Sequence, residues 1–346
     1  MKKLKTLWNN RYFNFSLVVI FTAVVLFISL NNNLEEVLEI SSQANPFWLI
    51  VLVLSALLIQ VLKGLILKVL TKIYNSEYSL ADGFVNAIVA TLIHSITPSS
   101  SGGQVVQVYV FRRQGVKISD SLSILLLDFI LYQLVLVGVG LLLLLLKLDY
   151  FLSSGSNILW LIIAGFVVDS FFVTALFVLS SSPKVYRWVT HQGFNILKKF
   201  HLLKDPQKSL EKLDETLNGF QEAWKDVRNN TWLVVEATLL NILRLLADYA
   251  LPILVFLAIK IPLNWDLAFN IIAFTGFVYM INDLAPIPGA AGTTEATFIL
   301  LLTPIVGYIP ALSGVLIWRF VNYHMITAFG ALFFLFFKKK HEKRST

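Results

Sequence analysis

The chain has 346 residues, of which 57% are hydrophobic and only 14% are charged, and its mean hydropathy is +0.73. An ordinary globular domain is about half apolar and about one quarter charged, so this composition indicates an integral membrane protein. The absence of cysteine excludes disulfides, thiolate metal sites and cysteine nucleophiles. The formal net charge of +7 falls in tails and connections, as membrane topology favours, and does not indicate nucleic-acid binding.

Several segments are long and apolar enough to cross a membrane, which takes about 20 residues. In chain order they are 13–30, 46–70, 121–146, 158–179, 232–257, 267–284 and 311–337. The first follows a basic start, as in a signal peptide, but no small-residue cleavage site comes after it. We therefore predict a retained first span and an all-α polytopic fold of about seven transmembrane helices.

Two further segments, 82–111 and 282–307, are interrupted by proline and glycine. Pro98 lies four residues before Gly102, and Pro288 lies four residues before Gly292. Irregular backbone is tolerated at membrane depth only where it is buried in protein or lines a watery cavity. The two segments are therefore predicted to be re-entrant hairpins that enclose an interior polar cavity.

Basic residues predict the orientation, because short cytoplasmic loops carry an excess of Lys and Arg. The N-terminus, the loop at 112–117, the polar segment 183–231 and the tail 338–346 are all basic and are predicted to be cytoplasmic. The charges balance when the first hairpin opens from the cytoplasm and the second from outside. Such opposed hairpins are typical of an inverted repeat around a central site.

The chain is predicted to be one membrane domain, residues 1–346. Its first half is 13–181 with the hairpin 82–111, and its second half is 232–337 with the hairpin 282–307. The connecting segment 183–231 has apolar residues at three-and-four spacing over 210–224, which predicts an amphipathic helix. At about 50 residues this segment is too short for an independent catalytic domain.

The helices that follow the two breaks are predicted to point their N-termini into the cavity. Ser99, Ser100 and Ser101 are candidate caps for a helix beginning near Gly103, and Thr293 or Thr294 for the second. Helix N-termini carry partial positive charge and bind phosphate or other anions. Simple kinks filled by neighbouring helices are the structural alternative.

Charged side chains inside spans are functional candidates because burying them is costly. Arg244 and Asp248, spaced i, i+4, either serve a site or neutralise each other. Arg319 has no acid within four residues, so its partner is either a lipid phosphate or a carboxylate from another segment. The candidate carboxylates are those of Asp128, Asp283 and Glu295.

Arg112 and Arg113 follow the first break and are predicted to anchor the surface or to capture lipid headgroups. The remaining candidate cavity residues surround the breaks: Pro98, Ser99, Gly102, Gly103, Gln104, Pro288, Gly289, Gly292 and Thr293. No histidine has metal-ligand spacing, and no nucleotide-binding loop or catalytic series is present. We expect no cofactor, no metal and no enzyme activity.

Two stretches, "PSSSGGQVVQVYVFRRQG" and "PIPGAAGTTEATFILLLTPIVG" with the later "WRF", resemble the lysylphosphatidylglycerol synthase transmembrane family. That family is the flippase-like part of the multiple peptide resistance factor proteins, and the resemblance covers about 13–337. Gln104 stands near the position of the family's acidic residue, and Asp128 lacks the arginine that follows it in the family.

The resemblance implies movement of an anionic or aminoacylated phospholipid, such as lysylphosphatidylglycerol, between leaflets of a bacterial plasma membrane. Longer relatives add a soluble aminoacyl-transfer domain, which we do not expect here because the chain ends at a basic tail. The alternatives are translocation of a polyprenyl-phosphate sugar, or a non-transporting partner of a separately encoded lipid or glycan transferase. Membrane phospholipids are the expected partners, and a homo-oligomer is a further option.

Overall fold

The structure, a computed structural model, describes residues 34–97, 102–153, 158–181, 188, 192, 229–282, 285 and 287–342. The predicted first span, the helix predicted over 210–224 and the candidate residues Pro98, Ser99 and Asp283 lie outside these residues. Within them the regular secondary structure is helical and no strand occurs. The predicted all-α polytopic membrane fold is confirmed.

The first half supplies the helices α1 (Leu34–Ser42), α2 (Pro46–Thr71), α3 (Leu80–Ile96), α4 (Gly102–Arg113), α5 (Ile118–Leu146), α6 (Leu148–Ser153) and α7 (Ile158–Ser181). Helix α2 begins where the Asn45 side chain accepts the Phe47 N–H, with Pro46 in the first turn. Helix α3 begins where the Ser79 hydroxyl oxygen accepts the Asp82 N–H. Local capping chemistry thus fixes both starts.

The second half supplies α8 (Thr231–Ala258), α9 (Trp265–Asn282), a 3₁₀ turn (Pro288–Ala290), α10 (Thr293–Val306), α11 (Tyr308–Arg319), a π-helical segment (Phe320–Met325) and α12 (Ile326–Glu342). Helices α11 and α12 continue through the π-helical segment as one long apolar stretch. Short π-helical turns inside α-helices are frequent at functional sites. This one immediately follows Arg319.

Six helical stretches within the described residues are long and apolar enough to cross a membrane, judged by length and composition. They are Pro46–Thr71, Ile118–Leu146, Thr231–Ala258, Trp265–Asn282, Pro288–Val306 and Tyr308–Lys339. Helix α7 covers the predicted span 158–179. Both predicted breaks separate two helices that pack on each other, α3 on α4 and α9 on α10. Re-entry at the breaks and the inverted repeat stay predictions.

The α3–α4 hairpin is closed at the end away from its break. Gln114, just after α4, donates its side-chain N–H to the Asp82 carbonyl oxygen (2.8 Å) and accepts the Tyr78 hydroxyl (2.8 Å). Burial raises the pKa of the Tyr78 phenol, so this hydroxyl remains a hydrogen-bond donor across the physiological range. The loop between α2 and α3 is thereby joined to the end of α4.

The core lies where α2 and α8 pack together, with α9, α10 and α11 around them. Large side chains such as Tyr249, Phe256 and Phe298 are fully buried there. Helix α2 also packs on α3, and α3 in turn on α12. This arrangement brings the break in the first half and the break in the second half to the same interior region.

Helices α2 and α3 touch through their backbones at Gly64 and Gly83. A Cβ added to Gly83 would overlap the Gly64 carbonyl group, and one added to Gly64 would meet the Phe84 backbone. We expect Gly83→Ala to lower the free energy of unfolding by about 1–3 kcal/mol because the helices must move apart. Unfolding of the purified protein in mixed micelles would measure this.

Gly138→Ala is the matched control, because nothing lies within 4 Å of the Cβ that it adds to α5. In a helix interior, alanine in place of glycine is expected to stabilise by up to about 1 kcal/mol. Equal unfolding behaviour of the two variants would contradict the close backbone contact.

Candidate functional site

A cavity of about 320 Å³ lies between the two halves of the protein. The first half lines it with side chains from α2, α3 and α5: Gln60, Lys63, Thr91, His94, Ser95 and Tyr132. The second half lines it with residues from α8, α9, the 282–292 break, α10, α11 and the π-helical segment. Since Arg244 and Asp248 lie near the middle of α8, a membrane-spanning α8 puts the cavity at mid-membrane depth.

Arg319 is held on one side of this cavity by the second break. Its Nε donates to Glu295 Oε1 (2.7 Å), and its Nη2 donates to the Gly289 carbonyl oxygen (3.1 Å). The guanidinium also lies over the Tyr323 ring, 4.2 Å from the ring centroid. Glu295, one of the three carboxylates predicted as partners for Arg319, pairs with it. The arginine still lines the cavity, so pairing does not remove it from the site.

Glu295 also fixes the start of α10. Its second oxygen, Oε2, accepts the Gly292 N–H (2.7 Å), so one buried carboxylate joins the helix start to the arginine. The predicted capping by Thr293 or Thr294 is wrong, because the N-cap residue is Gly292. The Thr294 hydroxyl instead donates to the Ala290 carbonyl oxygen (2.9 Å). Glu295, at the third position of the helix, thus accepts the N–H of the N-cap residue itself, as the glutamate of a capping box does.

The second break requires its glycines. Gly289 has φ +59° and Gly292 has φ +81°, both in the left-handed region that glycine adopts at little cost. A Cβ on Gly289 would also overlap the Tyr323 phenol. The backbone at the break therefore approaches the π-helical segment as closely as the absence of a side chain permits.

A second group of charges comes from three helices. Lys63 from α2, Asp128 from α5, and Arg244 and Asp248 from α8 interact electrostatically with one another. Arg244 lies over the Tyr132 ring, 4.5 Å from the centroid, and Nη1 donates to Asn241 Oδ1 (3.4 Å). The sequence left two alternatives for Arg244 and Asp248, a role in a site or mutual charge neutralisation. In the structure both residues line the cavity, and their charges are balanced within the group of four.

Several buried polar atoms around the cavity have no hydrogen-bond partner within the protein. Among the described residues they include Asp128 Oδ1, Arg244 Nε, Asn282 Oδ1 and Trp318 Nε1. Buried polar groups are nearly always hydrogen-bonded in folded proteins. These atoms leave unmet hydrogen-bonding capacity in residues at the cavity and directly behind it.

Aromatic side chains fix the position of the wall near Asp248. The Tyr279 hydroxyl approaches the Asp248 carboxylate and accepts a hydrogen bond from Asn322 Nδ2 (3.3 Å). Trp318 stacks on Phe298, with 5.1 Å between ring centroids, and its edge nitrogen is among the unpaired atoms. The wall beside the charged groups is therefore made of packed aromatic rings, with the Tyr279 hydroxyl next to Asp248.

The end of α3, just before the first break, lies at the cavity and is bonded to the second half of the protein. The Tyr323 hydroxyl donates to the Ser95 carbonyl oxygen (2.8 Å), and Thr327 Oγ1 donates to Ser95 Oγ (3.2 Å). Thr97 Oγ1 accepts the Gly102 N–H (3.1 Å) at the start of α4. Ser99, Ser100 and Ser101, which were predicted to cap α4, all lie outside the residues that the structure describes.

The candidate residues separate into those at the cavity and those away from it. Arg244, Asp248, Gly289 and Arg319 line it. Asp128 interacts electrostatically with lining residues and Glu295 is bonded to one of them. Pro288, Gly292 and Thr293 complete the second break. Among the described lining residues none belongs to α4, which carries the candidates Gly102, Gly103, Gln104, Arg112 and Arg113.

The placement of α4 has a packing cause. A Cβ on Gly103 would overlap the His94 ring, so α4 is packed closely against α3 on that face. Gln104 lies next to Gly103 and is exposed, as are Arg112 and Arg113. Among the described residues on either side of the first break, those that line the cavity lie at the C-terminal end of α3, including His94 and Ser95, and not at the N-terminus of α4.

Lys63, Tyr279 and Asn322 line the cavity and were not among the sequence candidates. Lys63 carried a usable signal, since it is a charged residue inside an apolar span, five residues before Lys68. Tyr279 and Asn322 carried none, because tyrosine and asparagine are not rare enough in broken helices to mark a site.

Comparison with known proteins identifies the relatives of this chain. It is 25% identical to a UPF0104 membrane protein of Archaeoglobus fulgidus over 329 residues, which is 91% of this chain and 94% of the relative. It is 23% identical to UPF0104 membrane protein MJ1595 of Methanocaldococcus jannaschii over 345 residues, 95% of this chain and 96% of the relative. Residues 15–330 match the family described as the lysylphosphatidylglycerol synthase TM region. The chain is a membrane protein that belongs to this family.

Proposed function

We propose that this protein is a lipid flippase that moves an anionic or aminoacylated phospholipid between leaflets. The supporting observation is the interior cavity, which borders long apolar helices and is lined by Lys63, Arg244 and Arg319. Guanidinium and ammonium groups bind phosphate through charge-assisted hydrogen bonds. Charged groups at membrane depth are costly, and they commonly mark the path of a charged ligand.

The size of the cavity fits a headgroup rather than a whole lipid. At about 320 Å³ it lies at the small end of ligand pockets, which range from about 300 to 1,000 Å³. In the proposed cycle the phosphate binds at the basic side chains, and headgroup hydroxyl or amino groups bond to Tyr279 and Asn282. The acyl chains stay in the bilayer.

The proposal assigns no chemical reaction to this chain. Aminoacyl transfer to the lipid would be the work of a separate protein, and membrane phospholipids are the partners that the cavity would bind. In keeping with the basic loops, we further propose a bacterial plasma-membrane location with both termini in the cytoplasm.

Reconstitution into liposomes tests this proposal. Lipids labelled on a hydrophobic chain would be compared: phosphatidylglycerol, lysylphosphatidylglycerol, phosphatidylcholine and a polyprenyl phosphate. A membrane-impermeant quencher reports how fast each lipid reaches the outer leaflet. We expect faster movement of phosphatidylglycerol or its lysyl ester than of phosphatidylcholine. Movement of polyprenyl phosphate alone would favour the glycan-carrier alternative, and no protein-dependent movement would contradict the flippase.

Two arginine variants separate the cavity from the protein surface. Arg244→Gln removes a cavity cation, whereas Arg113→Gln removes an exposed cation that lies near the Tyr109 ring at the end of α4. We expect Arg244→Gln to slow movement at least about tenfold, the loss of one charged hydrogen bond. Equal slowing in both variants would point to headgroup capture at the surface.

A further inference from the structure

The cavity and its immediate neighbours carry balanced charge. Lys63, Arg244 and Arg319 are the basic members. Asp248 lines the cavity with them, while Asp128 and Glu295 interact with the bases from behind it. Three basic and three acidic groups therefore leave the site with no formal net charge. Uncompensated charge in an apolar surrounding costs several kcal/mol, which explains this balance.

An anionic headgroup would disturb this balance. A phosphodiester adds one negative charge beside Asp248, and two negative charges in a poorly solvated site repel each other. The site returns to neutrality when one of its carboxylates takes up a proton. The protonated acid then leaves Lys63 and Arg244 free to interact with the phosphate.

We propose that Asp248 takes up one proton when an anionic headgroup binds and releases it when the headgroup leaves, so that the lipid anion and a proton move together. This inference rests on the proposed function. The proton comes from water as the carboxylate becomes a carboxylic acid, and it returns to water when the carboxylate re-forms. Each transport event then carries no net charge across the membrane.

Asp248 is better placed for this role than the other two acids. Glu295 is fixed by direct bonds to Arg319 and to the Gly292 N–H, and it does not line the cavity. Asp128 does not line the cavity either. Asp248 does, and the Tyr279 hydroxyl beside it can donate to the carboxylate or accept from the carboxylic acid. Its environment can therefore accommodate both protonation states.

The titratable and charged groups near Asp248 come from the helices packed against it. They are Lys63 from α2, Asp128 and Tyr132 from α5, Arg244 from α8, Tyr279 from α9 and Arg319 from α11. His94 from α3 and Tyr323 from the π-helical segment line the same cavity. The cations stabilise the carboxylate while the cavity lacks an anion. A bound phosphate competes for the same cations, so they stabilise the carboxylate form of Asp248 less strongly.

Calorimetry on the full chain in detergent tests the inference, with short-chain phosphatidylglycerol as the probe. Binding is measured near neutral pH in buffers of different ionisation enthalpy, which gives the number of protons taken up. We expect about one proton per lipid, and affinity that falls by up to about tenfold per unit rise in pH. Asp248→Asn should take up almost none and should lose this pH dependence. Asp266→Asn, at an exposed position at the start of α9, should behave like the unsubstituted protein.

The outcomes distinguish this inference from the function on which it rests. Binding of phosphatidylglycerol without proton uptake would overturn the coupling but leave lipid binding in place. Uptake that persists in Asp248→Asn would overturn the assignment to Asp248. Failure of folded protein to bind the lipid at all would contradict the anion site itself, and with it the proposed function.

Discussion

Glu295→Ala is expected to lower the free energy of unfolding by about 3–5 kcal/mol, the cost of leaving a buried charge without its partner. The carboxylate of Glu295 is buried, and its two oxygens bind Arg319 and the Gly292 N–H at 2.7 Å each. Removing it leaves a guanidinium and a helix-start N–H unpaired in the interior. Unfolding in mixed micelles measures the loss. Glu36→Ala, at an exposed position in α1, should change stability by less than about 0.5 kcal/mol.

A double-mutant cycle identifies the source of that loss. Arg319→Ala alone strands the Glu295 carboxylate, whereas the double variant removes both charges together. We therefore expect the double variant to be more stable than the sum of the single effects implies, by about 1–3 kcal/mol. Additive effects would mean that the two side chains act independently, contrary to the 2.7 Å contact.

Lys63→Met is expected to slow phosphatidylglycerol movement in liposomes by about 10- to 100-fold. A hydrogen bond to a charged group contributes about 1.5–3 kcal/mol, and each 1.4 kcal/mol corresponds to tenfold. Methionine keeps an unbranched apolar chain of similar length, so packing along α2 should change little. The liposome assay with chain-labelled lipid measures the rate.

Lys68→Met is the matched control for that experiment. Lys68 lies on the same helix in the last turn and does not line the cavity. If the lysines serve only to anchor the helix, the two variants should slow movement to a similar extent. Slower movement in Lys63→Met but not in Lys68→Met would indicate that the anionic lipid passes through the cavity.

The sequence predicted the breaks well because their signals are local. A cluster of proline and glycine interrupts a helix locally, whereas the single Pro252 of α8 and Pro304 of α10 stay inside their helices. A charged side chain in an apolar span stands out without any knowledge of the fold. Arg244, Asp248 and Arg319 were accessible to this reasoning and all three line the cavity. The partner of Arg319 could only be narrowed to three acids, since pairing across helices depends on packing.

The sequence was misleading where packing rather than pattern decides which face of a helix is buried. Helix α4 contains glycines, two glutamines and two arginines after a break, yet its Gly103 face lies against His94. Gln104, Arg112 and Arg113 are exposed, and Gln107 is buried without lining the cavity. Asp128 illustrates the opposite case. It lacks the adjacent arginine expected from the family resemblance, but Arg244 and Lys63 supply positive charge from other helices. Spatial neighbours replaced a sequence neighbour.

Tyr323 contacts both broken segments and so connects them. Its hydroxyl is bonded to the Ser95 carbonyl at the end of α3, while its ring fills the space that the missing side chain of Gly289 leaves. If either segment moved away from the cavity, the Tyr323 phenol would lose its contact with Ser95 or with Gly289. One such hydrogen bond contributes only about 1 kcal/mol. This contact is strong enough to define one arrangement of the two segments, and weak enough to be broken when other interactions of similar size compensate for it.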